Sequence, residues 1–214
     1  HTLVFATAAA HVHAFEPLPA VHAVLVQNVA DNALHNVSAH AIALSDQSGK
    51  AEFFVGHARN VGMSSFDARD DHTGKVEVQR RAGDDLLAEL GVHHIDFIKI
   101  DVEGHEYFAL HGLRQTLRRD LPVITLEWND PVATDRFAGT ELWHFLTAHY
   151  SFFALDTTHD RTVWQGKPFA FFKRKWHRLW PRKAVIHRFD PRSHYDCVVL
   201  VPKGREALLE ELMP

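Results

Sequence analysis

The chain has 214 residues, 46% of them hydrophobic and 23% charged, a composition that fits one folded globular domain and excludes disordered and fibrous classes. Its formal net charge of −4 hides a segregation, because residues 171–188 hold Lys173, Arg174, Lys175, Arg178, Arg182, Lys183 and Arg188 without one acid. The single cysteine, Cys197, excludes an internal disulfide, and the absence of an apolar run of about 18 residues or of a signal-peptide start predicts a soluble, cytoplasmic protein, with peripheral membrane association left open.

Apolar and amphipathic runs alternate along the chain, the pattern of strands feeding crossover helices in an α/β fold with a mostly parallel, doubly wound sheet. Residues 3–10 read as a helix and Val12–Phe15 as a short strand. Glu16-Pro17 ends that strand before a helix with Leu18, Val21, Leu25 and Val29 on one face. Asn36–Leu44 reads as the next strand, closed by the turn-forming run Ser45-Asp46-Gln47-Ser48-Gly49. Strands at Ala51–Val55 and Val76–Arg80 flank a polar loop that contains Asn60, Ser64 and Ser65.

Asp84 as N-cap and Gly91 as stop bracket a short helix that leads into a strand at Ile95–Ile100. From Gly104 a helix runs with Phe108, Leu110, Leu113 and Leu117 inward and Arg114, Arg118 and Arg119 at its end. A strand at Val123–Trp128, a helix at Glu141–His149, and strands at Phe152–Leu155, Thr162–Trp164 and Asp196–Val201 follow, then a terminal helix at Arg205–Leu212. Cys197 falls in the last strand as a core residue. The reading is one domain over 1–214, with a basic aromatic insertion at 166–195 between the last two strands.

In a doubly wound sheet ligands sit beyond the carboxyl ends of the strands, so the polar residues there carry the functional reading. Glu16 can accept both hydroxyls of a ribose, or simply start a helix. Ala43 and Leu44 offer a surface for an adenine, or an ordinary turn. Lys99-Ile100-Asp101-Val102-Glu103-Gly104-His105-Glu106 crowds ionisable groups behind an apolar strand, which suits proton transfer or metal binding better than folding. Glu127 ends the following strand and can face Asp101 across one cleft. The 18 histidines form no His-Glu-x-x-His pattern, and no metal site is assigned.

These motifs in this order, Ala14-Phe15-Glu16-Pro17, Asn28, Asn32, Asn36-Val37, Ala43-Leu44-Ser45-Asp46, Gly62 with Ser64-Ser65, and the string from Ile95 to Glu106, resemble the FkbM-type methyltransferases over about residues 1–128. The resemblance implies a Rossmann-like class I methyltransferase sheet with an antiparallel C-terminal hairpin. It also implies S-adenosyl-L-methionine as cofactor and O-methylation of a sugar, glycan or other natural-product hydroxyl. Glu16, Ala43, Leu44 and Asp101 would then touch the cofactor, Asp101, His105 and Glu103 would be catalytic, and Asn60, Ser64, Ser65 and Glu127 would meet the acceptor. A first strand and a glycine-rich cofactor loop are expected upstream of His1.

A variant has Asp101, Glu103 and Glu127 holding a divalent ion, although a metal is not favoured. The basic segment, with Trp176 and Trp180, suits a substrate cover, a phosphorylated or lipid-linked acceptor or an anionic membrane better than nucleic acid, and equally suits a solvated arm or dimer contact. A nicotinamide-dependent oxidoreductase and a non-catalytic module binding membrane or nucleic acid are the alternatives. The acceptor and the oligomeric state are not legible in the residues.

Overall fold

The computed structural model describes residues 1–56, 64–68, 72–128, 135–156, 185–191, 193 and 195–212. The expected strand at Thr162–Trp164, Asn60, and most of the basic insertion lie outside them. The chain forms two compact units, one of residues 1–95 and 102–120, the other of residues 96–101 and 121–214. Among the described residues no helix is long and apolar enough to cross a membrane.

The first unit opens with α1 (Thr2–Ala6), β1 (Val12–Phe15), α2 (Pro19–Asp31) and β2 (Val37–His40), and β1 pairs with β2 in parallel, Val12 opposite Val37 and Phe15 opposite His40. Helix α1 stops earlier than its alanine-rich sequence suggests. The Asn36 side chain donates to the carbonyls of Ala6 and Ala9 at 2.9 and 3.0 Å, so these carbonyls are satisfied without further helical turns. On α2 the expected face of Val21, Leu25 and Val29 is the half-buried one, while Val24 and Val26 stand exposed.

The single strand expected over 36–44 divides at a bend around Ala41. β2 belongs to the β1 pair, whereas β3 (Ala43–Ser45) joins a second, three-stranded sheet with β4 (Gly49–Val55) and β5 (Gly74–Ala82), in the order β3-β5-β4. β3 runs parallel to β5 and β4 antiparallel to it, with Glu52 opposite Glu77. Like charges across a ladder repel, and here Lys50 bonds Glu77 at 2.6 Å and Lys75 bonds Glu52 at 2.5 Å, which offsets the clash. Leu18, Phe53 and Val78 form a core beneath this sheet, with Val21, Val55, Phe66 and Val76 against it.

Helix α3 (Gly83–Glu89) ends in Gly91 at φ +68°, with Gly91 N–H donating to Ala88 and Val92 N–H to Leu87, the paired bonds of a Schellman motif. Its expected N-cap does something else. The Asp84 carboxylate accepts from the backbone N–H groups of Gln115 and Thr116 at 2.8 and 2.9 Å, and so caps a different helix. That helix is α5 (Arg114–Asp120), separated at Leu113 from α4 (Glu106–Gly112), where a continuous helix was expected. Leu110, Leu113 and Leu117 are buried as their spacing requires.

The junction of α4 with β3 is close. A Cβ on Gly112 would stand 1.8 Å from the Ser45 carbonyl oxygen, a backbone atom that cannot turn aside. Gly112→Ala should therefore cost on the order of 1–3 kcal/mol and lower Tm by several degrees in calorimetry.

Asp120 ends α5 with its carboxylate buried. It accepts from Ile95 N–H at 2.9 Å and from Arg119 at 2.7 Å through both oxygens, and His94 Nδ1 lies 3.3 Å away. The Arg119 guanidinium foremost, then the Ile95 amide and His94, hold its carboxyl below the ordinary 3.8 against the opposing effect of burial. A depressed folded pKa means that this stabilisation is full above about pH 4 and is lost as pH falls through the lower folded value. Asp120→Asn should lower Tm at pH 7, and the difference from the parent should shrink in melts taken progressively toward pH 2.

The second unit is a five-stranded sheet in the order β6-β7-β10-β8-β9, built from β6 (Phe97–Ile100), β7 (Val123–Trp128), β8 (Tyr150–Asp156), β9 (Val185–Arg188) and β10 (Tyr195–Pro202). β6 and β7 are parallel, and β10 runs antiparallel to both β7 and β8, which is the expected C-terminal hairpin. β9 is an addition. The end of the basic insertion, expected to lie between the final strands, is itself an edge strand, Val185 opposite Asp156 and Arg188 opposite Phe153.

Helix α6 (Glu141–His149) is capped by Thr140, whose hydroxyl accepts from Trp143 N–H at 3.1 Å, and a 3-10 helix, Glu206–Leu212, closes the chain. Val199, Val201 and Leu209 form one core cluster of this unit, against which half-buried Cys197 packs.

Candidate active site

Glu16 follows β1, and its N–H donates to the His40 carbonyl at 3.0 Å, which extends the ladder by one bond beyond the strand. The half-buried carboxylate accepts from Leu18 N–H through Oε1 at 2.8 Å, and among the described residues Oε2 has no hydrogen-bond partner. Burial pushes its pKa up, while the Leu18 amide and nearby His22 oppose the rise. An acid at a strand mouth with one oxygen to spare is equipped to accept a hydroxyl.

Ala43 is buried in β3 opposite Arg80, and Leu44, opposite Arg81, is half-buried. Next to them Ser45 is fully buried, and its Oγ lies 3.1 Å from His105 Nε2. The His105 ring packs between Phe66 and Phe108 at 4.4 and 4.8 Å. His105 thus sits in the interior, tied to the strand that carries Ala43 and Leu44.

The turn before α4 is held by a residue that the sequence did not single out for this task. Glu106, buried, accepts from Val102 N–H at 3.4 Å and Gly104 N–H at 3.2 Å, which lets Glu103 and Gly104 adopt φ of +52° and +99°. Left-handed geometry at a glutamate is uncommon and is sustained here by the Glu106 bonds. The signal for it was the acid two residues beyond a glycine.

In the other unit the register Ile100 opposite Leu126 brings the next residues, Asp101 and Glu127, side by side at the carboxyl ends of parallel strands. Their carboxylate oxygens lie within 4.8 Å of one another. Asp101 is exposed and receives a bond from Lys99 Nζ at 2.8 Å, which places a cation beside the two acids. The juxtaposition expected from the sequence is present. Ser64 and Ser65 are buried with their hydroxyls engaged by the backbone, Ser64 accepting from Gly56 N–H at 2.9 Å and Ser65 donating to the Asp67 carbonyl at 2.7 Å.

Parallel strand pairs joined through helices, with acids at the strand ends of each unit, define an α/β protein of Rossmann-like class. The Methyltransferase FkbM domain model matches residues 2–153, and the chain belongs to that family. A curated relative, Methyltransferase sdnD of Sordaria araneosa, is 30% identical over 133 residues, covering 49% of this chain and 51% of its own length, so the chain spans about half of that relative. The crystal structure of methyltransferase FkbM from Methylobacillus flagellatus KT aligns with a TM-score of 0.44 and 15% identity over 89% of this chain and 36% of its own.

Ser45→Ala removes the buried bond to His105, and losing a buried hydrogen bond costs roughly 1–3 kcal/mol. The expected result is a drop of several degrees in Tm. No change in Tm would show that this bond contributes nothing to holding β3 and α4 together.

Proposed function

We propose that this chain forms the core of an S-adenosyl-L-methionine-dependent O-methyltransferase that acts on a hydroxyl of a sugar, glycan or other natural product. The observation that supports it, within this family, is the Asp101–Glu127 carboxylate pair with Lys99 bonded to Asp101. When bound, the cofactor supplies an electrophilic methyl group on a sulfonium.

The residues fit that group at Glu16, whose uncommitted Oε2 can accept ribose hydroxyls, and at Ala43 and Leu44, which offer an apolar wall to an adenine. Asp101 is the base we favour. It is exposed and accepts a hydrogen bond from Lys99 Nζ at 2.8 Å, so an acceptor hydroxyl can reach it and give up its proton there. Glu127 orients that hydroxyl, a task that supplies rate through alignment rather than chemistry. Glu103 follows Asp101 on the motif turn and serves acceptor alignment, and His105 is a positioning residue behind β3.

The test uses the full-length protein. Asp101→Asn should lower kcat by about 10²–10⁴-fold with S-adenosylhomocysteine affinity in calorimetry nearly unchanged. Glu16→Ala should weaken that affinity more than about tenfold. Undiminished turnover in Asp101→Asn would sink the assignment of the base. Because two carboxylates at this spacing also suit magnesium or calcium, activity is measured before and after chelation, and a loss restored by either ion would favour metal-held alignment of the acceptor.

A further inference from the structure

One face of the β1–β2 pair carries an array that the reading above does not use. Strand periodicity puts His11 and His13 on the same side of β1, since alternate side chains share a face. β2 supplies Ser38, opposite His13, and His40, opposite Phe15. The His13 Nδ1 and His40 Nε2 atoms lie 3.1 Å apart, the ring of His11 lies 4.6 Å from that of His13, and His11 Nε2 bonds Ser38 Oγ at 2.9 Å. The Phe15 ring stacks on His40 at 4.9 Å and fixes its plane.

We propose that His13 and His40 form a chelating site for one divalent transition ion of the zinc, nickel and copper group, with His11 as a third ligand. Two imidazole nitrogens bound tetrahedrally at 2.0–2.1 Å stand roughly 3.3 Å apart, so the observed separation is already near that of ligands. The two rings lie nearly parallel, 14° apart with centroids at 5.4 Å, and both turn out of the shared hydrogen bond to meet one ion. His11 is exposed, rests against the His13 ring and bonds half-buried Ser38, so a ring turn that breaks this one hydrogen bond brings it in as the third ligand.

Burial first, and then the neighbouring histidines, hold the imidazoles of His13 and His40 below their usual range. An all-imidazole set selects zinc, nickel or copper and rejects magnesium and calcium, which want oxygen. The site lies at the base of the candidate cofactor acid, because the Glu16 N–H donates to the His40 carbonyl. A bound ion would cross-link the two strands that support Glu16, and it would stabilise the fold by mass action.

The experiment is zinc calorimetry on the full-length protein with any affinity tag removed. Among 18 histidines a control is needed, and exposed His93 serves. One equivalent of zinc should bind and raise Tm, with no effect of magnesium. His13→Gln and His40→Gln should each weaken zinc binding by more than about tenfold, whereas His93→Gln leaves it unchanged. Zinc binding that survives in the double variant overturns the site. If the variants fold poorly, copper EPR of the unaltered protein decides: nitrogen hyperfine structure from at least two imidazoles supports the site, and an oxygen-only signal overturns it.

Discussion

In a parallel strand pair register decides which residues come together at the sheet's end, and the β6–β7 register brings two acids side by side. Ile100 faces Leu126, so the residues that follow, Asp101 just past β6 and Glu127 within β7, are neighbours. A slip of one residue would send one carboxylate to the opposite face. The register is anchored on the apolar side, since Ile100, Ile124 and Leu126 are buried while the alternate positions of β7 are half-exposed. Burial of aliphatic side chains thus does the work of aligning two acids that would otherwise repel, and Lys99 supplies the counter-charge.

The other unit shows the reverse traffic, in which polar residues serve structure. Glu106 holds the turn after Val102, Asp84 caps α5, and Ser45 meets His105 behind β3. Each bond satisfies a group whose burial without a partner would be costly, and each joins segments distant in sequence or sharply turned. The motif Asp-Val-Glu-Gly-His-Glu therefore divides its labour: Asp101 faces solvent, whereas His105 and Glu106 are interior.

Histidine is abundant here, and its environments differ widely. His94 lies against buried Asp120, His105 is buried against aromatic rings, and His13 and His40 share a hydrogen bond on a half-buried sheet face. Of these three arrangements the last alone brings two imidazole nitrogens within 3.1 Å of each other. No spacing rule reveals it, because His13 and His40 are brought together by strand pairing.

What the sequence by itself determined is the set of elements whose cause is local or periodic. Val12–Phe15, Val123–Trp128 and Glu141–His149 agree residue for residue with the structure, because apolar runs, flanking breakers and a threonine cap act within a few positions. The FkbM motifs, too, were legible as strings. Tertiary structure alone decided the bend that divides 36–44 between two sheets, the break between α4 and α5, the helix that Asp84 caps, and the edge strand at the end of the basic insertion. It also decided which ionisable groups meet solvent and which are buried. The physical reason is common to all of these: each depends on a partner far away in the chain, such as the Ser45 carbonyl against Gly112, and distance in sequence carries no record of approach in space.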